Sequence, residues 1–327
     1  MRIDRLQRRT RASGEARTSA TDAPVVGPPD VALVALDEQA VATAAPSLGL
    51  EGDVEAQLRT LTTPPSTLSP LDRLLEVAAS LNAASLSQAV GAVVVTPEGA
   101  VEETAFALDL LVAGDMPVVV VTSHRAPMHE PRFRAAVAVA IAPAARAMGT
   151  LVVNDGEIHA ARFVERALRG RVPRFVSPAT GPIGAVVDGE ARFYVRVPRK
   201  PVLTAAKPAP VALVELAMGD DGVLLDALVE RGFAAAVIQA TAPPLGATAT
   251  ERLCALALRL PVVLVDAAVP ADLFEAIDLP ASRTDVLARG VMPAGGLSAV
   301  KARLVVAFTA RAENPHEAVA MALSSYV

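Results

Sequence analysis

The sequence predicts an α/β protein in which a parallel sheet carries helices on both faces. Short apolar runs alternate with longer segments that have apolar residues at helical spacing, a pattern typical of βαβ units. The short runs are apolar at nearly every position, as expected for strands that are covered on both faces. None of them approaches the roughly 18 residues of a membrane-spanning helix. Right-handed crossovers between parallel strands then put helices on both sides of the sheet.

The elements of the first two thirds of the chain follow in order. Strands are predicted at residues 31–36, 92–96, 118–121 and 151–153, and helices at residues 71–81, 102–112 and 132–147. The first helix follows Ser69 and Pro70, and serine is a favourable N-cap while proline suits the first turn. Ligands of open parallel sheets bind beyond the carboxyl ends of the strands. We therefore expect the site near residues 37–40, 97–100, 122–127 and 154–159.

A change of composition predicts two domains. Residues 198–210 contain four prolines and are typical of a linker. Beyond them, strands are predicted at residues 211–216, 234–238 and 262–266, and helices at residues 223–231, 248–259 and 301–310. The predicted organisation is a flexible arm (1–29), an N-terminal α/β domain (30–197), the linker (198–210) and a smaller C-terminal α/β domain (211–327). The arm is rich in arginine, but no apolar stretch follows it, which argues against a targeting peptide.

Composition excludes several classes of protein. The 327 residues are 52% hydrophobic and 20% charged, as in a globular protein. The single cysteine, Cys254, excludes a disulfide framework and a multi-cysteine metal site, and it fits a cytoplasmic location. A formal net charge of −5 does not indicate the basic surface that would bind nucleic acid or an anionic membrane. Neither a P-loop nor a GxGxxG motif is present, so we expect no nucleotide cofactor, and the three histidines at 124, 129 and 159 do not form a metal motif.

Several segments resemble the bacterial L-asparaginase family. They are residues 94–110, residues 151–162 (Leu-Val-Val-Asn-Asp, then Ile-His-Ala-Ala-Arg), residues 181–184 (Gly-Pro-Ile-Gly) and residues 296–303. They occur in the family's order and span nearly all of residues 31–327. The resemblance implies the same architecture, a larger N-terminal and a smaller C-terminal α/β domain. It also implies a homodimer, or a dimer of dimers, with sites near a subunit interface.

The catalytic motifs of that family are altered here. The family's first motif is Thr-Gly-Gly-Thr-Ile, and its second threonine is the nucleophile. Here this position falls on Gln39, whose side-chain amide cannot act as an activated hydroxyl nucleophile. The second motif, His-Gly-Thr-Asp-Thr, falls on the shorter segment 97–100 (Pro-Glu-Gly-Ala), and the serine–glutamine pair that binds the substrate carboxylate falls on Pro65 and Ser66. The family's catalytic lysine falls on Arg166, whose guanidinium cannot serve as a base. We therefore predict that the protein does not hydrolyse asparagine.

Glu98 is the first candidate catalytic residue, since it directly follows a buried strand, between a proline and a glycine. A carboxylate beside apolar walls can act as both acid and base near neutral pH. The alternative is a solvated loop glutamate or a cap for the next helix. Arg73 is the second candidate, because a guanidinium recognises a carboxylate through two hydrogen bonds. Its alternative role is an ion pair with Asp72 or Glu76 on the helix surface.

A remodelled amino-acid pocket with an added glutamate and arginine resembles the bacterial Pictet–Spengler enzymes that make β-carboline alkaloids of the marinacarboline type. That resemblance implies Glu98 as catalytic acid and base and Arg73 as the group that recognises an aldehyde substrate. Gln39 and Ser66 are then further substrate-binding candidates. The implied substrates are L-tryptophan and an α-ketoaldehyde such as oxaloacetaldehyde, and no cofactor or metal is required. This chemistry is the favoured function.

Two other functions stay open from the sequence alone. The chain could be a noncatalytic asparaginase relative that binds an amino acid. It could also be a lyase or hydrolase that uses Glu98, His124 or His159 on another amide or amine. The ionisable groups gained at the strand ends favour a new activity over a decayed site.

Overall fold

The computed structural model describes residues 29–36, 57–61, 67–123, 130–167, 174–204, 207–240, 245–266 and 286–326. The predicted α/β class is confirmed: a large N-terminal sheet is followed by a smaller parallel sheet. The predicted arm (1–29) lies outside the described residues except for its last residue. No helix in the described part of the chain is long and apolar enough to cross a membrane.

The large sheet has eight strands among the described residues, in the order β10-β9-β6-β5-β4-β3-β1-β2. The strands β2, β1, β3, β4 and β5 are mutually parallel. At one edge the sheet becomes antiparallel, because β6 pairs with β5, β9 with β6 and β10 with β9 in antiparallel fashion. The strands are β1 (Asp30–Ala35), β2 (Gln57–Thr60), β3 (Gly91–Pro97), β4 (Val118–Ser123), β5 (Thr150–Asn154), β6 (Glu157–Ala160), β9 (Gly184–Val187) and β10 (Glu190–Phe193). A separate short ribbon pairs β7 (Glu165–Arg166) with β8 (Phe175–Val176).

The central strands are apolar along their length because both faces of the sheet are covered. In β3, Ala92 and Val94 join a core on the side of helices α1 (Pro70–Leu86) and α2 (Val101–Leu111). Val93 and Val95 point the other way, into a core on the side of α3 (Glu130–Ile141). Alternation of side chains along a strand produces this division.

The helices begin and end where local chemistry dictates. The Ser69 hydroxyl accepts a hydrogen bond from the backbone N–H of Asp72 at 3.3 Å, which caps α1 as predicted. Helix α3 ends at Ile141, six residues before the predicted end at 147. Pro143 explains the difference, because a proline disfavours helical geometry in the residue before it. A short 3₁₀ turn, Pro143–Ala145, follows.

Two hairpins at the antiparallel edge were not predicted. Asp155 and Gly156 join β5 to β6, and Asp188 and Gly189 join β9 to β10. All four residues have positive φ, from 49° to 84°, as a type I′ turn requires. The Asp-Gly pairs are thus the sequence signal for these hairpins.

The second sheet has the order β11-β12-β13-β14 and is parallel. Its elements are β11 (Val211–Leu216), α4 (Val223–Asp226), β12 (Ala235–Ala240), α5 (Ala247–Ala257), β13 (Val262–Asp266), β14 (Met292–Pro293), α6 (Ala299–Thr309) and α7 (Pro315–Ser324). Helix α6 packs against β11 and β12 and also against α2 of the large sheet. The predicted linker (198–210) lies between β10 and β11, and the domain boundaries themselves remain a prediction.

Candidate functional site

The carboxyl ends of β1 and β3 meet at one edge of the large sheet. Ala35 lies opposite Val95 in the strand register, and the backbone N–H of Leu36 donates to the Val95 carbonyl at 2.8 Å. Groups that follow the two strands are therefore brought to the same edge, where ligands of such sheets bind. Glu98 follows β3 at this edge.

Two arginines face Glu98. Its side chain is 28% exposed and forms an ion pair with the Nη1 atom of Arg174. Nη2 of Arg166 lies 3.9 Å from its other carboxylate oxygen. The sequence led us to expect apolar walls around Glu98, and the structure instead shows a cationic environment. The alternative of a helix cap also receives no support, because no side chain caps the helix that follows.

The β7–β8 ribbon brings the two arginines together. Arg166 ends β7 and pairs with Phe175 in β8, and Arg174 comes directly before that phenylalanine. The backbone N–H of Ala167 donates to the carbonyl of Arg174 at 2.8 Å. The two guanidiniums thus project from neighbouring positions of one antiparallel pair toward Glu98.

Glu102, in the first turn of α2, connects this ribbon to that helix through hydrogen bonds. One carboxylate oxygen accepts a hydrogen bond from the backbone N–H of Arg166 at 3.1 Å. The other oxygen accepts one from the hydroxyl of Ser298 at 3.0 Å and lies 3.8 Å from the ammonium of Lys301. The N-terminal turn of α6 therefore contributes to positioning Arg166.

Lys301 donates hydrogen bonds to the backbone of the segment that precedes the ribbon. Its side chain is 1% exposed, and its ammonium donates to the carbonyls of Arg162 at 3.1 Å and Val164 at 2.6 Å. Burial lowers the pKa of Lys301, while the charges of nearby carboxylates, Glu102 foremost, oppose that shift. Because the ammonium is hydrogen-bonded and close to carboxylates, its burial is compensated.

Arg73 reaches the same edge of the sheet from α1. Its Nη2 donates to the carbonyl of Leu36 at 3.1 Å, at the end of β1. Its Nε is buried and has no hydrogen-bond partner among the described residues. Asp72 instead accepts a hydrogen bond from Ser69, so the alternative of an Arg73–Asp72 surface pair is not what forms. Arg73 and Glu98 lie at the ends of adjacent strands, with no ion pair joining them in the described part of the chain.

His159 is buried inside the sheet. Its Nδ1 lies 3.0 Å from the Ser177 hydroxyl, and its Nε2 lies 3.3 Å from a carboxylate oxygen of Glu157. Burial lowers the pKa of His159, and the charge of Glu157 opposes the shift. The side chain is only 1% exposed, which favours a structural role over contact with a substrate.

Four of the candidate residues lie outside the described residues: Gln39, Ser66, His124 and His129. Arg174 was not identified by sequence analysis, since the two-residue strand that follows it carries no periodic pattern. Its only signal is its place at the end of an arginine-rich segment, residues 166–174, and such a segment is more often a solvated loop than part of a site. Among the residues that the structure describes, no group of three His, Cys, Asp or Glu side chains could hold a metal ion.

Comparison with known proteins identifies the family. Residues 28–199, more than half of the chain, match the family described as "Asparaginase, N-terminal". The chain belongs to the asparaginase family. The resemblance found in the sequence motifs is thereby confirmed at the level of family and fold.

Individual asparaginases are similar in sequence or fold to this chain. An L-asparaginase from Bacillus licheniformis is 28% identical over 227 residues, which are 66% of this chain and 70% of that protein. L-asparaginase 2 from Bacillus subtilis (strain 168) is 35% identical over 133 residues, 39% of this chain and 35% of that protein. The crystal structure of a probable cytoplasmic L-asparaginase from Campylobacter jejuni superimposes with a TM-score of 0.75 at 20% identity. It covers 91% of this chain and 100% of its own, which shows a shared fold.

Proposed function

We propose that this asparaginase relative is a Pictet–Spengler-type β-carboline synthase that condenses L-tryptophan with an α-ketoaldehyde such as oxaloacetaldehyde. The observation that carries the proposal is Glu98 at the carboxyl end of β3, in the segment aligned with the second threonine motif of the family. Its carboxylate is oriented by Arg174 and Arg166 instead of being left in solvent. A carboxylate fixed at a strand end is suited to proton transfer.

The reaction needs one group that handles protons. The amine of tryptophan and the aldehyde lose water to form an iminium ion, and carbon 2 of the indole attacks the iminium carbon. The indole regains aromaticity when the proton on carbon 2 leaves, and the Glu98 carboxylate accepts that proton. The negative charge of Glu98 also stabilises the iminium ion. Decarboxylation and oxidation to the aromatic β-carboline follow ring closure, with dioxygen as the oxidant.

In this proposal Arg73 recognises the aldehyde substrate. Its guanidinium lies at the end of β1, beside the strand that Glu98 follows, and its Nε has no partner among the described residues. A buried donor without a partner favours an acceptor from a ligand. We assign to it the carboxylate of the aldehyde substrate. Gln39 and Ser66 complete the proposed substrate pocket.

The assembly and location are part of the same proposal. We propose a cytoplasmic homodimer with the site near the subunit interface, as the resemblance to asparaginases implies. The neighbour from Campylobacter jejuni is named a probable cytoplasmic enzyme, and the single Cys254 is compatible with a reducing compartment.

A binding protein without catalytic activity is the second candidate. The ion pair that engages Glu98 would also exist in a site that only holds the amine and carboxylate of an amino acid. The two functions differ in product: a synthase releases a fluorescent β-carboline, and a binding protein releases nothing.

The test is product formation from L-tryptophan and an α-ketoaldehyde, followed by the blue fluorescence of the β-carboline and by mass. Glu98→Gln keeps the size of the side chain and removes the base, so turnover should fall about 10²–10⁴-fold. Glu98→Asp should retain part of the activity, because it keeps a carboxylate one methylene shorter. Glu190→Gln removes a surface glutamate that also lies near an arginine, and it should leave turnover unchanged.

Circular dichroism confirms that each variant is folded. A folded Glu98→Gln protein with wild-type turnover would remove Glu98 from the mechanism. Wild-type protein that binds L-tryptophan but forms no product would favour the binding protein. Ammonia or an elimination product would instead favour a lyase or hydrolase.

A further inference from the structure

The Glu98 cluster, formed by Glu98, Arg166 and Arg174, contains more positive than negative charge. Arg174 makes the close ion pair with Glu98. The guanidinium of Arg166 makes only the longer contact, at 3.9 Å, within the described part of the chain. Its side chain is 58% exposed. One guanidinium is therefore in excess over the carboxylates of the cluster.

Other carboxylates near Arg166 are directed elsewhere. Both oxygens of Glu102 are engaged by the backbone N–H of Arg166, by Ser298 and by Lys301. Glu165 is the neighbour of Arg166 in β7, and successive side chains of a strand point to opposite faces. Burial raises the pKa of Glu165, as expected for a carboxyl group turned toward the interior.

The placement of Arg166 is built into the fold. Its backbone N–H donates to Glu102, and the buried ammonium of Lys301 donates to the carbonyls of Arg162 and Val164, a few residues earlier. A side chain on such a fixed strand is presented with less loss of backbone entropy than one on a loop. A guanidinium in this position is suited to bind a carboxylate through two hydrogen bonds.

We propose that Arg166 forms an anion subsite that binds the α-carboxylate of the amino acid substrate beside Glu98. The amine and carboxylate of an α-amino acid are attached to one carbon. A carboxylate on Arg166 therefore brings the amine next to the Glu98 carboxylate, where the iminium forms. The assignment rests on the proposed function for the identity of the amino acid, and it separates the two substrate carboxylates between Arg166 and Arg73.

Direct binding of L-tryptophan and of tryptamine tests the subsite. Tryptamine keeps the indole and the amine but lacks the carboxylate. The chain contains no tryptophan, so ligand indole fluorescence is measured without a contribution from protein tryptophan. Arg166→Gln should weaken L-tryptophan binding about 5- to 30-fold, as expected for a charge-assisted contact that is partly screened by solvent. Tryptamine binding should not change, and Arg166→Lys should restore part of the L-tryptophan affinity.

Arg192→Gln is the matched control. Arg192 is 56% exposed, and its Nη2 lies 4.0 Å from a carboxylate oxygen of Glu190, a near copy of the Arg166 contact at a different place. The control should leave both ligands unaffected. Equal loss for L-tryptophan and tryptamine in Arg166→Gln, a loss no larger than in Arg192→Gln, or wild-type protein without preference for L-tryptophan would overturn the subsite. Arg166-dependent binding without β-carboline formation would keep the subsite and reject the synthase.

Discussion

The Arg73 side chain leaves its helix surface and reaches the end of a neighbouring strand. Its Nη2 donates to the Leu36 carbonyl at 3.1 Å, while Asp72, the nearest acidic neighbour in sequence, is engaged by Ser69. The carbonyl contact uses one of its five donors. Of the remaining donors, the Nε has no hydrogen-bond partner among the described residues, and we propose that they bind a planar anion such as the carboxylate of an aldehyde acid.

Arg73→Ala tests this assignment. Loss of a charge-assisted contact costs about 1.5–3 kcal/mol, so kcat/KM for an acidic aldehyde should fall by about one to two decades. A neutral aldehyde should be used as well as before, and a bulkier one better, since a long side chain is removed. The measurement is kcat/KM for one acidic and one neutral aldehyde, with circular dichroism as the folding control. The same relative rates in both proteins would return Arg73 to a purely structural role.

The residues of the site differ in how well the sequence alone identifies them. Glu98 could be selected because it follows an apolar strand in the segment that resembles a family motif. Arg73 could be selected because its guanidinium is suited to recognise a carboxylate. Arg174 could not, because its contact with Glu98 joins positions 76 residues apart and depends on a two-residue strand. For the same reason the charged environment of Glu98 was missed, and apolar walls were expected in its place.

At the scale of elements, the central strands and their helices were predictable. A strand covered on both faces must be apolar along its centre, as are residues 92–95 of β3, 118–121 of β4 and 151–153 of β5. The antiparallel edge was not predicted, since β9 and β10 are short and only half-buried. Their hairpins depend on local turn chemistry at Asp-Gly pairs, which hydrophobic periodicity does not detect.

His159 connects two of these elements, since it sits on β6 and contacts Ser177 just after β8. Burial holds its pKa below the ordinary value of 6.5 despite the opposing charge of Glu157. Below pH 6.5 the unfolded chain therefore binds more protons than the folded one. The free energy of unfolding should then fall on acidification, with a slope from this group of up to about 1.4 kcal/mol per pH unit. The loss ends once the pH is below the pKa of the folded state.

The variant His159→Asn keeps a hydrogen-bonding group near Ser177 and removes the titration. Urea unfolding from pH 7.5 to 5 should show that its free energy of unfolding depends less on pH than that of the wild type. His316→Asn is the control, because the hydrogen-bond partner of His316 among the described residues is a backbone carbonyl, that of Ala257, at 3.2 Å. Parallel curves for wild type and His159→Asn would contradict the assignment.

The whole molecule is held together by a core that includes both sheets. Phe106 and Leu108 of α2 belong to the same apolar cluster as Val211 of β11 and Val237 of β12, with α6 between the sheets. The polar contacts of α6 reach the site from this core, through Ser298 and Lys301. The smaller sheet therefore supports the edge of the larger sheet at which Glu98 lies.

Family membership and chemistry make opposite predictions for the intact protein, and an ammonia assay decides between them. The fold is that of proteins named L-asparaginase, whereas the sequence motifs predict that Gln39 and the segment 97–100 replace the threonine motifs of that family. On this prediction, with Arg166 in place of the family's catalytic lysine, acyl transfer would have neither a hydroxyl nucleophile nor a base. We expect no ammonia from L-asparagine or L-glutamine above the level of heat-denatured protein, measured with a coupled glutamate dehydrogenase assay. The Bacillus licheniformis L-asparaginase is the positive control, and robust turnover of either amide by this chain would show that the hydrolytic chemistry survives, so that Glu98 no longer requires a new reaction.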